Sequence, residues 1–133
     1  MSSEDRIVYL KVALYAIGLF FIFGIYPMMM WIWPEGWGWE PRQYEYEQMI
    51  MGVYATLGVF LIRAARDPLA NLSLLWFTIW SSIVHGAIML VQALVDETER
   101  ANLLGDVPAL FLVALVLWVL LPRRTTPDHQ GTH

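Results

Sequence analysis

His85 is the only ionisable side chain lying deep within any of the long apolar stretches of this sequence. An imidazole there can carry a proton or a metal, or act as the axial ligand of a tetrapyrrole. Counted at about 100° per helical residue, it shares one face with Asn71, Thr78, Ser81, Ser82, Met89 and Gln92. Trp76, Trp80, Ala87 and Leu94 point the other way. This is a polar stripe on an apolar helix. Polar groups are costly against lipid, so the stripe must face other helices or a wet cavity and leave the tryptophans on the lipid side.

Counting inward along the preceding apolar stretch, which must run in the opposite direction, brings Tyr54 to a depth similar to that of His85, with Met51 and Glu47 above it. A ligand-binding pocket lined by His85, Met89, Gln92, Tyr54, Met51, Glu47 and Ser81, opening outward, follows from that register. The plainer alternative is a neutral histidine hydrogen-bonded across helices, with Ser81 and Ser82 bonded back to their own carbonyls. Such bonds average about 0.6 kcal/mol in membrane bundles. No catalytic set is visible, because no nucleophile is paired with a base and the stripe holds no embedded carboxylate. No metal site is expected either. Met28, Met29 and Met30 are soft donors of the kind that bind copper(I), but no cysteine or adjacent histidine completes a set. No cofactor is expected. The alternative, a haem or other tetrapyrrole on His85, reaches bis-histidine ligation only in a dimer.

The elements that must position these residues are membrane helices. The chain is 58% hydrophobic and 15% charged, outside the soluble balance, and 14% aromatic with seven tryptophans. Zero cysteines exclude disulfides and thiol chemistry. Four spans are expected, at about residues 7–33, 46–63, 69–95 and 106–121, in a single all-α domain over residues 1–122. The fold class is an integral membrane four-helix bundle. The first span exceeds the roughly 20 residues a bilayer needs, and Pro27 should kink it. It is longer than a signal-peptide core and no small-x-small site follows it, so it should be retained. The segment after it, rich in Met, Trp, Gly and Pro, reads as an aromatic belt and cap. Gly52 with Thr56, and Thr78, Ser82 and Gly86 at four-residue spacing, offer helix-packing faces. Asp67 before Pro68, and Asp106 just before Pro108, read as N-caps. The last helix is almost purely aliphatic and should be the most exposed to lipid or pack through Ala109 and Ala114. Residues 123–133 lack apolar content and should be a disordered cytoplasmic tail.

Four spans leave both termini on one side, with Arg6, Lys11, Arg63, Arg66, Arg123 and Arg124 against Arg42 and Arg100 on the other. The positive-inside rule puts the termini in the cytoplasm. The opposite loops are strongly acidic. A net charge of −4 without a basic patch excludes nucleic acid. The partners expected are the lipid bilayer and a homo-oligomer or larger membrane complex.

The strings from Glu47 to Gly52 with Tyr54, from Ala65 to Asn71, Trp80-Ser81-Ser82 before His85, and from Leu104 to Pro108 resemble an uncharacterised family of small bacterial four-helix membrane proteins. The likeness covers most of the chain from Trp31 to Leu121. It implies an architecture and a multi-pass location in the bacterial inner membrane, and it carries no activity. The small multidrug exporters also have four short spans, but they depend on a glutamate inside the first helix, which is lacking here. The function expected is that of a structural or accessory membrane subunit. The alternatives are an outward-opening binding or transport protein using the seam around His85, and a tetrapyrrole-binding protein.

Overall fold

Ser2 and Asp5 start the first helix by capping each other. The Asp5 amide donates to the Ser2 hydroxyl and the Ser2 amide donates to the Asp5 carboxylate, both at 3.2 Å. Helix α1 then runs over Ser3–Leu19. The structure, a computed structural model, describes residues 1–38 and 41–122. The expectations for Trp39, Glu40, Arg123, Arg124 and the 123–133 tail lie outside these. Three further long helices follow: α2 over Tyr44–Ala64, α3 over Leu72–Val95 and α4 over Asp106–Leu120. Among the described residues the fold is all-helical, without a strand.

The first span continues beyond α1 through π-helical turns at Phe20–Gly24 and Met28–Ile32, on either side of Pro27. Proline has no N–H to give and its ring crowds the preceding turn, so the hydrogen-bond ladder widens around it. The second wide turn has a consequence for side chains. Trp33 N–H reaches back to the Met28 carbonyl, and the residue that would serve the Met29 carbonyl in the same five-residue pattern is Pro34, which has no N–H. Arg42 fills the gap, donating from Nη1 to the Met29 carbonyl at 3.3 Å.

Helix α1 packs against α2 and α4, and α3 against α4, while α2 and α3 touch sparsely. Arg6 donates to the Val119 carbonyl at 3.5 Å, so the start of α1 lies beside the end of α4. The other end of the bundle carries residues 28–38 and 41–43 and a 3₁₀ helix, Glu97–Leu103, which Asp96 caps by accepting from the Thr98 amide. The turn from α2 to α3 is a 3₁₀ helix, Pro68–Asn71, capped by Asp67 through the Ala70 amide, and Asn71 donates to the Asp67 carbonyl. The core is aliphatic, with Leu10, Leu14, Leu61, Leu75, Ile79 and Leu117 almost completely buried.

Three segments, not four, are long and apolar enough to cross a membrane: Ser3–Ile32, Pro68–Val95 and Glu97–Leu120. Helix α2 falls short because it opens on Tyr44, Glu45, Tyr46, Glu47 and Gln48 and has Arg63 near its end. Its apolar part, residues 49–62, covers only about 21 Å at 1.5 Å per residue, against a hydrocarbon core of roughly 30 Å. The bundle's outer faces are apolar nonetheless. Trp80 is 60% exposed and Trp76, Phe77, Val84 and Trp118 are exposed along with it, as a lipid-facing wall requires.

Two packing expectations change. A Cβ on Gly52 would meet nothing within 4 Å, and Thr56 donates to the Gly52 carbonyl of its own helix, so among the described residues this pair makes no close approach to another helix. Gly58 makes the close approach instead, against Gly18 of α1. The face of Thr78, Ser82 and Gly86 is buried inside the chain, and a Cβ on Gly86 would lie 3.2 Å from the Phe111 ring and 3.4 Å from the Leu110 Cβ. Helix α4 is not merely a lipid-facing rod, since Leu110, Ala114 and Leu117 are buried. Gly105, not Asp106, holds its cap position. The Gly36 carbonyl sits where a Gly105 side chain would begin, so only glycine fits there and Asp106 becomes the first helical residue.

Candidate functional site

In the half of the bundle nearer residues 28–38, the four long segments line a partly open cavity of about 70 Å³. Phe20, Phe21, Ile25 and Met29 line it from the first span, Ile50 and Tyr54 from α2, His85 and Met89 from α3, and Asp106, Ala109, Leu110 and Val113 from α4. Trp37, from the short helix Pro34–Trp37, completes the lining. The lining is largely apolar, with its polar atoms confined to a few side chains.

Tyr54 and His85 join across the sparse α2–α3 contact through a hydrogen bond of 2.5 Å between the tyrosine hydroxyl and Nδ1. Both lie ten residues, or about 15 Å of helix, from the ends of their helices at this side of the bundle. Phe21 packs edge-to-face on Tyr54 with ring centroids 4.9 Å apart. Asp106 is 8% exposed. Its carboxyl accepts from its own amide and from that of Val107, as suits an acid in the first turn of a helix, and it acts electrostatically on Tyr54. Its Oδ1 has no hydrogen-bond partner among the described residues. Trp37 Nε1 is in the same condition. One cavity is therefore bordered by a buried acceptor and a buried donor, each without a partner within the chain. Such groups are rare, because each costs about 1–3 kcal/mol when unsatisfied.

The cavity gathers three of the residues the sequence pointed to, His85, Tyr54 and Met89, and leaves out four. Ser81 donates to the Thr78 carbonyl of its own helix at 3.3 Å, while Thr78 itself donates to that of Leu74. Met51 packs at the edge of the main core. Gln92 is exposed and lines a separate surface groove of about 740 Å³ with Tyr46, Asp96 and Glu99. Glu47 is fully buried in an ion pair with Arg42 at 3.0 Å. Arg42 Nη2 also reaches Met30 Sδ at 3.4 Å. This clasp ties Met29, Met30 and Arg42 to α2 instead of opening a path to His85.

Sequence reasoning missed Asp106, Trp37 and the phenylalanines. An acid directly ahead of an aliphatic helix is the signal that marks Asp106, although its register does not distinguish a cap from a wall residue. Among the described residues no group of three His, Cys, Asp or Glu side chains could hold a metal. The methionines of the 28–30 run diverge, with Met29 buried and the Met30 sulfur on Arg42. The cavity beside His85 has about 70 Å³, against the roughly 300 Å³ or more of pockets for ligands of tetrapyrrole size.

Among the described residues, an all-helical fold with three segments apolar enough to cross a membrane, packed around a small cavity, defines the class of protein. The chain belongs to a family of unknown function, DUF6632, whose model matches residues 6–130. No curated protein and no solved structure matches it.

Proposed function

We propose that the protein is a multi-pass bacterial inner-membrane protein, a four-helix bundle that binds a small molecule in the cavity at Tyr54, His85 and Asp106. The observation that carries this reading is the pair of unpartnered buried groups on one cavity, Trp37 Nε1 and Asp106 Oδ1. A bundle that needed only to pack would lose nothing by replacing both with apolar groups. Chain direction supports four crossings. If the first span and α3 both cross, running the same way, α2 must bring the chain back between them, its short apolar stretch shielded on one side by α1. Arg6, Lys11, Arg63 and Arg66 lie toward the end that holds the start of α1 and the end of α4, which supports a cytoplasmic placement of that end and a cavity in the outer half.

The accessory-subunit reading has less to stand on. Its best packing face, Thr78, Ser82 and Gly86, is consumed by α4. What remains to it is the outward Gly52 and Thr56 on α2, as a contact to a second copy or another subunit.

The test is a thermal-stability screen of the purified protein in detergent against small amines, alcohols and carboxylic acids. Ala109→Leu, which fills the cavity from α4 without touching its polar groups, serves as the control. A compound that stabilises the wild type and not the filled variant is the expected result. A folded wild type that responds to no compound would refute the binding role and return the protein to the accessory class.

A further inference from the structure

The chemistry of the lining also narrows the ligand, an inference that rests on the binding-site reading above. We propose that the cavity takes a small organic ammonium group with an oxygen a few atoms away, the cation on Asp106 and the oxygen on Trp37.

The carboxylate is the first reason. Asp106 is more than nine-tenths buried and its Oδ1 has no partner among the described residues. The described lining contains no lysine or arginine. Arg42 touches the Met29 carbonyl at the cavity's edge but is already paired with Glu47. An anion would therefore be repelled, and a neutral molecule would leave the strongest acceptor to a weak partner.

The walls distinguish an organic cation from a metal ion. Hard cations such as Ca²⁺ and Mg²⁺ require about six or more oxygen ligands, and this lining offers one carboxylate and one hydroxyl among rings and aliphatic chains. Four of the rings, Phe20, Phe21, Trp37 and Tyr54, are aromatic faces of the kind that attract alkylammonium groups, which shed water easily. They stand in edge-to-face pairs, Phe20 with Trp37 at 5.8 Å and Phe21 with Tyr54 at 4.9 Å. Such a pair engages only one of its four ring faces and leaves the others for a cation.

Size and the second unpartnered group complete the description. A volume of about 70 Å³, at roughly 10–15 Å³ for each water-sized position, admits about five or six heavy atoms. Trp37 Nε1 can only donate, so the bound group must also present an acceptor. Ethanolamine, a molecule of four heavy atoms, fits within that volume and has both functions, and the same ammonium, with an ester oxygen two carbons away, is the tip of an ethanolamine lipid headgroup.

The experiment uses the full chain in detergent and follows its melting temperature and calorimetric binding with ethanolamine and with propan-1-ol, which has the same shape without charge. A parallel arm compares nanodiscs of phosphatidylglycerol with and without phosphatidylethanolamine. Saturable stabilisation by ethanolamine, at least tenfold weaker in Asp106→Asn and in Trp37→Phe and absent with propan-1-ol, is the expected result. Stabilisation in the phosphatidylethanolamine arm alone, lost in the same variants, supports the same chemistry supplied by a lipid. Equal response to propan-1-ol, or a response indifferent to both variants, overturns the ammonium and leaves the binding site standing. If neither ethanolamine nor the lipid acts while a neutral compound from the screen does, the proposal also falls and the site remains; silence throughout removes both.

Discussion

A Cβ placed on Gly18 would lie 2.7 Å from the Gly58 carbonyl oxygen, and one placed on Gly58 would lie 2.6 Å from that of Gly18. Helices α1 and α2 thus meet backbone to backbone, and each needs its glycine because the other is there. In lipid, where apolar side chains gain little by leaving their surroundings, such close packing is a main source of helix association. It also sets how far apart the cavity walls stand, since Phe21 on the first span and Tyr54 on α2 flank this crossing.

Gly58→Val should therefore destabilise the purified protein by about 1–3 kcal/mol, the usual cost of overpacking. Gly52→Val, six residues earlier where a Cβ meets nothing within 4 Å, should change stability by less than about 0.5 kcal/mol. Melting temperatures of the two variants in one detergent decide the matter. Equal tolerance would mean that the crossing is elsewhere.

The buried clasp between Arg42 and Glu47 should behave as a coupled pair. Arg42→Met leaves a fully buried carboxylate deprived of its guanidinium, a change that costs about 3–5 kcal/mol where it has been measured in other proteins. The double variant Arg42→Met with Glu47→Met should cost clearly less than the sum of the singles, because it removes both charges together. Additive single and double variants in a thermal cycle would show that the two side chains do not depend on each other.

How much of this was legible beforehand follows from which residues obey a period. The seam of α3 did, because Thr78, Ser82, Met89 and His85 share a helical face whatever packs against it, and they are buried or half-buried. The depth of Tyr54 was also legible, as a count along an antiparallel neighbour. Interhelix register was not: Gly52 and Gly58 are both small residues on α2, and only the position of Gly18 across the gap selects between them. Trp37 reaches the cavity through wide turns and a short helix around Pro34, a path without periodicity in sequence. Asp106 carries a residue type that suits a cap equally well, and the crowding of Gly36 on Gly105 makes it a wall.

Topology has its own test. Reporters inserted at Arg66 and fused after Pro122 should read as cytoplasmic, and one inserted between Pro34 and Gly38 as external. The polar start of α2 makes this a real question, since only three segments qualify as spans on length and apolarity. An external signal after Pro122 would mean an odd number of crossings and would place α2 at the membrane surface, taking Tyr54 away from His85.

His85→Gln separates packing from binding at the site itself. Glutamine can still donate and accept, so it can keep a bond to the Tyr54 hydroxyl that His85 now holds. Interhelical bonds of this kind average about 0.6 kcal/mol, so the variant should fold, with a melting temperature lowered by no more than a few degrees. Its cavity is different, because an amide does not titrate near neutrality and presents no ring. If the pair only ties α2 to α3, the variant should bind every compound that the wild type binds, and Tyr54→Phe should cost as little as His85→Gln. If the pair belongs to the binding wall, both variants should remain folded while losing at least tenfold in affinity, and the change in affinity across pH 5 to 8 should differ between the wild type and His85→Gln. Calorimetric titration of the three proteins at several pH values gives the answer. Unchanged affinity and unchanged pH dependence in a stable His85→Gln protein would remove His85 from the site and leave Asp106 and Trp37 to carry it.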